Sequence, residues 1–209
     1  MPFNEQHYQD LKPGQPMVVP KEEFGKRFSP LTPSELAAWA LEKRKAPKEA
    51  KERGKVSYQE ARDILFDIVK KVADECFMPL TVGGGVRTLG DIHNLLRAGA
   101  DKVAINTVAT KKPYFITEAT KKYGKQCVVV SIDYQKNKKG KNEVFIYNGT
   151  KPTGKDPIKW AKEAEQLGAG EILLTNISRE GTRGGYEIVT IRQAAEVLEI
   201  PVIASGGAG

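Results

Sequence analysis

Met78–Gly85 reads MPLTVGGG, and Ile200–Gly207 repeats the pattern as IPVIASGG. In both segments a proline precedes a short run without polar alternation, and a glycine cluster follows. Such a run is typical of a strand buried on both faces in a parallel sheet that helices cover. Glycines after the strand let backbone N–H groups approach an anion. The repeat predicts two phosphate-binding units that lie side by side and serve a substrate with two phosphates.

The composition is that of a soluble globular protein. Of 209 residues, 40% are hydrophobic and 28% are charged. No apolar run approaches the roughly 18 residues that a bilayer requires, and the N-terminus has no signal-peptide pattern. We expect the two cysteines, Cys76 and Cys127, to be reduced thiols. Neither has a second cysteine or a histidine at the spacing of metal ligands. We therefore expect a cytoplasmic protein with no metal site and no membrane association.

The formal net charge of +7 is concentrated in one basic stretch. Residues 134–162 hold eight lysines against two acids and so carry +6. No ladder of aromatic residues that would stack on bases is interleaved with these lysines, so nucleic acid is not the expected partner. Two interpretations stay open, a solvated hairpin face and electrostatic attraction of a small anionic substrate.

The chain divides by pattern into two parts. Residues 1–56 predict an irregular or helical segment of unknown role. Residues 57–209 alternate strand and helix signals, which predicts a parallel α/β sheet. Right-handed crossovers leave an open doubly wound sheet or a closed barrel. Because the glycine turns lack G-x-G-x-x-G spacing, the pattern favours a partial (βα)8 barrel.

Polar residues follow the predicted strands. Asp133 ends the strand at residues 128–132, where a barrel would place a general acid or base; a turn-initiating aspartate is the alternative. Two groups could each bind a phosphate. The first is Gly83, Gly84, Gly85, Asn106 and Thr107, and the second is Gly181, Thr182, Ser205, Gly206 and Gly207.

Beyond these local signals, eight runs occur in a characteristic order. They are PLTVGGGVRT, GADKVAINT, VVVSID, KPTG, GAGEILLT, REGT, GGY and IPVIASGGAG. From about residue 60 to residue 209, the sequence resembles the cyclase subunit of imidazole glycerol phosphate synthase. That family is a (βα)8 barrel built of two similar half-barrels, and no cofactor is expected. Its members take ammonia from a glutaminase partner. They convert a bisphosphorylated formimino carboxamide ribotide into imidazole glycerol phosphate and aminoimidazole carboxamide ribotide, in histidine biosynthesis.

The resemblance assigns a role to individual residues. It implies that Asp133 is a catalytic general acid and that Thr175 is an active-site threonine. It implies one phosphate site at Gly85, Asn106 and Thr107 and another at Gly181 and Gly207. Gly84, Thr182, Ser205 and Gly206 are neighbours in these glycine clusters. Lys102 and Glu171 correspond to half of a charged gate for ammonia.

The sequence also departs from that family. We expect strands equivalent to the third to seventh, without the first two and the eighth. The first two bear the catalytic base, so we do not expect the chain to be active alone. Residues 178–182 read SREGT where the family has DRDGT. Two alternatives stay open. One is a paralogue that delivers ammonia to a sugar amidotransferase in surface-glycan biosynthesis, which SIDYQKNKKGKNEVF resembles. The other is a non-catalytic phosphate-binding barrel fragment.

Overall fold

The computed structural model describes residues 58–75 and 78–208. The expected N-terminal segment, residues 1–56, lies outside this part of the chain. The domain boundary after residue 56 therefore stays a prediction.

Helices and strands alternate through the described residues. The helices are α1 (Tyr58–Glu75), α2 (Leu89–Arg97), α3 (Thr107–Lys111), α4 (Tyr114–Tyr123), α5 (Pro157–Gln166) and α6 (Ile188–Val197). The strands are β1 (Thr81–Gly83), β2 (Lys102–Ile105), β3 (Val128–Lys136), β4 (Asn142–Ile146), β5 (Lys151–Pro152), β6 (Glu171–Asn176) and β7 (Val202–Ser205). None of the described helices has both the length and the apolar character needed to traverse a bilayer.

Five of the strands form a parallel sheet in the order β1-β2-β3-β6-β7. The other two, β4 and β5, are antiparallel and extend from β3. β3 pairs with β2 over its first residues and with β4 from Asp133 onward, while β6 pairs with it along the other edge. Every residue of the central strand is therefore paired with at least one neighbouring strand.

Helices pack on one face of the parallel sheet. A single core cluster joins helix residues such as Ile92, Ile116 and Trp160 to strand residues such as Val130 and Leu174. Strand residues of the opposite parity point to the other face. A doubly wound sheet would have helices on both faces. One-sided cover is the arrangement of a barrel wall, so the prediction of a (βα) barrel type is confirmed for the described strands.

Two helices begin at side-chain caps. Thr88 caps α2 in a capping box, in which its hydroxyl accepts from the Asp91 N–H and the Asp91 carboxylate accepts from the Thr88 N–H. Asp156 caps α5 through the N–H groups of Ile158 and Lys159. Side-chain acceptors at these positions satisfy N–H groups that the helix itself leaves unpaired.

The prediction that the central strand ends at Asp133 was wrong. β3 continues to Lys136, so Asp133 lies inside a nine-residue strand. The strand extends because β4 supplies antiparallel partners from Asp133, opposite Phe145, to Lys136, opposite Asn142. Asp133 is therefore held by two neighbouring strands rather than by a flexible turn.

Candidate functional site

Three of the residues singled out in the sequence form a row across the sheet. Asp133 is paired with Thr175, and Thr175 is paired with Ser205. Residues paired directly in a parallel sheet point to the same face, here the face opposite the helices. A carboxylate and two hydroxyls are thus side by side near the C-terminal ends of β3, β6 and β7.

The environment of Asp133 suits proton transfer. Burial raises the pKa of Asp133, and a hydrogen bond from the Asn106 side chain partly offsets this, leaving the pKa above its usual value. Asn106 occupies the N-cap position of α3 but makes no capping hydrogen bond with its side chain. Its Oδ1 atom is buried and finds no hydrogen-bond donor among the described residues. The Asn106 side chain is therefore directed to the Asp133 site rather than to its own helix.

The glycine loop after β1 is held at its end and open at its centre. Asp91 accepts hydrogen bonds from the N–H groups of Arg87 and Thr88, which fixes the end of the loop. Gly84 and Gly85 have φ angles of +112° and +66°, and a Cβ added to either would meet no atom of the described residues within 4 Å. The positive φ favours glycine, and the described residues leave the space beside these Cα atoms unfilled.

Thr107 contacts the β4–β5 hairpin turn. Its hydroxyl accepts a hydrogen bond of 3.1 Å from the N–H of Tyr147, in the turn between β4 and β5. The Tyr147 hydroxyl in turn accepts from Lys111 Nζ at 3.1 Å. Sequence analysis missed Tyr147 and Lys111. The Asn148-Gly149 pair marks a hairpin turn, but nothing local indicates which surface that turn contacts.

The loop after β6 is held by its own hydrogen bonds. The Arg179 guanidinium donates to the carbonyl groups of Gly184, Gly185 and Tyr186. The Thr182 hydroxyl donates to the Arg179 carbonyl and accepts from the Gly184 N–H. Both functions of this hydroxyl are therefore engaged inside the loop.

The three glycines of this second group differ in their surroundings. Gly181 has a φ of +72° and open space beside it. A Cβ on Gly206 would overlap the Asn176 carbonyl oxygen, and one on Gly207 would overlap the Gly185 carbonyl oxygen. The Gly207 carbonyl also accepts from the Gly185 N–H at 2.8 Å. Close packing against backbone carbonyl groups thus explains why glycine stands at positions 206 and 207. At Gly181 the described residues leave the space beside the Cα atom unfilled.

The two glycine segments that open the sequence pattern are not neighbours, so that expectation was wrong. They belong to β1 and β7, the first and last strands of the parallel sheet, with three strands between them. Their loops still leave the same edge, because all five strands are parallel. The Asp133 row lies between these two loops, since β3 is central.

The opposite edge of the sheet holds an ion pair. Lys102 Nζ contacts Glu171 Oε1, joining the first residues of β2 and β6 across β3. Glu171 shares a face with Thr175, four residues along β6, at a separation of about 13 Å for extended strand. The structure thus brings the two expected gate residues together at the far end of the face that bears Asp133.

Among the residues that the structure describes, no three His, Cys, Asp or Glu side chains are grouped as metal ligands would be. The comparison with protein families gives one match. The family described as Histidine biosynthesis protein matches residues 57–209, well over half of the chain.

Proposed function

Because the chain belongs to the histidine biosynthesis protein family, we propose that it is the cyclase subunit of imidazole glycerol phosphate synthase. In this proposal it is a cytoplasmic lyase that takes ammonia from a glutaminase partner. It forms imidazole glycerol phosphate and aminoimidazole carboxamide ribotide from a bisphosphorylated ribotide. The family contains isomerases as well as cyclases, so the family alone gives a barrel enzyme of histidine biosynthesis and the reaction is the proposal.

The row of Asp133, Thr175 and Ser205 is the observation that carries the proposal. It lies on one face of the sheet. Gly84 follows β1 and Gly181 follows β6, on either side of β3, which bears Asp133. A substrate with a phosphate at each end would reach from one of these loops to the other across Asp133, and this arrangement supports a bisphosphorylated substrate better than a mononucleotide.

In the proposed mechanism Asp133 donates a proton. A general acid works best when its pKa approaches the working pH, and burial moves the pKa of Asp133 in that direction. Asn106 orients the carboxyl group through its side-chain amide. Thr175 and Ser205 offer hydroxyls to the reacting part of the substrate from the adjacent strands.

Ammonia would enter from the other end of the same face. The Lys102–Glu171 pair closes the N-terminal edge of the described strands. Between this pair and Asp133 the face carries Ala104, Val129, Ser131 and Leu173, by strand register. None of these side chains is an acid that would protonate ammonia, so ammonia would stay uncharged and nucleophilic along them.

The test is turnover of the ribotide with ammonium salts by the chain completed with the family's two strands that bear the catalytic base, with and without a glutaminase subunit. We expect product formation that falls about 10²- to 10⁴-fold in Asp133→Asn, the usual contribution of a general acid. Asp156→Asn is the matched control, because asparagine also caps a helix and Asp156 lies at the start of α5. Equal rates in Asp133→Asn and the unaltered chain would contradict the role of Asp133.

The sugar-amidation paralogue is the second candidate, and the loop after β6 favours it. Thr182 is engaged by internal hydrogen bonds, and Gly206 and Gly207 are packed against neighbouring backbone. An ammonia conduit needs the Lys102–Glu171 end of the face but no second phosphate site. Stimulation of a glutaminase without turnover of the ribotide would support this candidate over the cyclase.

A non-catalytic phosphate-binding fragment is the third candidate. It predicts that phosphate raises the melting temperature with occupancy while neither turnover nor glutaminase stimulation is found. The absence of any shift at millimolar phosphate would contradict every version of the phosphate site.

A further inference from the structure

We propose that the β4–β5 turn, residues 147–150, forms a phosphate clamp with α3, in which Lys111 contacts a phosphate monoester bound at the glycine loop after β1. The clamp adds specificity-determining residues that the sequence did not indicate. It rests on the proposed function, because it requires that this glycine loop bind the phosphate of the substrate.

Tyr147 lies along one face of α3. Its N–H donates to Thr107 Oγ1, and its hydroxyl accepts from Lys111 Nζ, both at 3.1 Å. Thr107 and Lys111 are four residues apart and therefore neighbours on the helix surface. The ammonium group also lies 5.7 Å from the centre of the Tyr147 ring. The turn is thus fastened to α3 at two points, by backbone and by side chain.

The backbone conformation of the turn is unusual at Tyr147, whereas Asn148 and Gly149 are residues that commonly adopt it. Tyr147 and Asn148 both have φ angles of +55°, and Gly149 has +75°. A positive φ is uncommon for a bulky residue. The Tyr147 side chain is 46% exposed, so burial of the ring in the core does not account for the strain. Strain of this kind is common at ligand clamps.

Cationic side chains from three parts of the structure act on the Tyr147 hydroxyl. The hydrogen bond from Lys111 is the main cause that lowers the pKa of Tyr147, and the charges of Lys111, Lys151 and Arg87 act in the same direction. These cations belong to α3, to β5 and to the end of the glycine loop. Among the described residues, the charged groups that act on this hydroxyl are Lys111, Lys151 and Arg87, all positive, and such a field attracts an anion.

The glycine loop after β1 lies next to these positive charges. Gly83 pairs with Ala104, so the open Gly84 and Gly85 follow a strand adjacent to the one that leads into α3. A neutral phenol is a weak partner for an ammonium group, whereas a phosphate dianion forms short, charge-assisted hydrogen bonds. A phosphate at the loop would therefore draw Lys111 away from the phenol.

The first experiment is calorimetric titration of the full chain with inorganic phosphate. We expect Lys111→Gln to weaken binding about tenfold, as the loss of one charge-assisted contact implies. Lys138→Gln removes the same charge from the exposed β3–β4 turn. That turn is separated from Tyr147 by β4, about 16 Å of strand, so the affinity should not change.

The outcomes separate the two proposals. If the unaltered chain binds no phosphate, the proposed function fails. If it binds, and Lys111→Gln binds equally well, the clamp is wrong and the glycine-loop site stands. Equal losses in Lys111→Gln and Lys138→Gln would also overturn the clamp, because they would reflect overall charge.

The second experiment follows ionisation of tyrosine at 295 nm. We expect phosphate to raise the titration midpoint of one of the seven tyrosines, because Lys111 leaves the phenol and an anion approaches it. Tyr147→Phe, an exposed change expected to preserve folding, should remove this transition. A midpoint that phosphate leaves unchanged would contradict the clamp.

Discussion

At the scale of single residues, the burial of the Asp133 carboxyl group favours proton transfer but lowers folding stability. Its carboxyl group is partly buried between β4 and β6, and burial raises its pKa. Sites arranged for function commonly cost stability. The side-chain amide of Asn106 is the group that moderates this cost, because its hydrogen bond lowers the pKa of the same carboxyl.

The first prediction concerns stability against pH. A folded-state pKa above the unfolded value means that the favourable contribution of Asp133 is present below the unfolded pKa and is lost as the pH rises through the folded pKa. Asp133→Asn should therefore raise the free energy of unfolding at pH 7, within the ~0.5–2 kcal/mol typical of such relief.

The gain should shrink as the pH falls through the raised folded-state pKa of Asp133, and it should be gone below about 4, the usual range of an aspartate pKa, where Asp133 is protonated in both states. Calorimetric melting temperatures from pH 3.5 to pH 8 measure it. Asp67→Asn, on an exposed face of α1, is the control. A gain that does not vary with pH would contradict the burial of charge at Asp133.

The second prediction separates the two kinds of glycine. Gly206→Ala should destabilise the protein by about 3 kcal/mol, because the new methyl group overlaps the Asn176 carbonyl in addition to the strain of a positive φ. Gly181→Ala has the strain alone and should cost about 1–2 kcal/mol. Urea denaturation measures both, and equal losses would refute the packing role of Gly206.

At the scale of secondary-structure elements, the Lys102–Glu171 pair joins two strands that are not neighbours. It spans β3 at the start of β2 and β6, and its side chains are only 28% and 18% exposed. Limited exposure reduces screening by solvent and salt. The pair should therefore couple more strongly than a surface ion pair.

The third prediction measures this coupling. A double-mutant cycle with Lys102→Met and Glu171→Gln should give about 1–2 kcal/mol, within the range for contacting residues. Lys155 and Glu163, with exposures of 33% and 47%, should couple by about 0.5 kcal/mol or less. Equal coupling in both pairs, by urea denaturation, would refute a special role for the strand-bridging pair.

At the scale of the whole molecule, the outer strands of the parallel sheet decide whether chains are expected to associate. Within the described residues β1 and β7 each pair with one strand, and Ile203 on β7 is 41% exposed. Strand edges and exposed apolar side chains are templates for pairing between chains.

The fourth prediction is self-association through these edges. Sedimentation of the chain should show oligomers that grow with concentration. Ile203→Lys should shift the distribution toward monomer, because charge on an edge strand opposes pairing. Val197→Lys, on an apolar residue of α6 that is 43% exposed, is the matched control. A monomer at every concentration would contradict the prediction.

Short-range signals are enough to predict that strands and helices alternate from residue 57 onward. Side-chain capping, as at Thr88 and Asp156, and the spacing of apolar residues act between near neighbours in the chain. The sequence also singled out Asp133, the glycine clusters and the Lys102 and Glu171 positions as candidates.

Only the tertiary structure decided how these candidates combine. Strand order separates the two glycine segments, register aligns Asp133 with Thr175 and Ser205, and β4 extends β3 past Asp133. The contact of Tyr147 with Lys111 spans 36 positions in the chain. Pairings of this kind depend on how whole elements pack and on which backbone groups they satisfy, so no local run of residues encodes them.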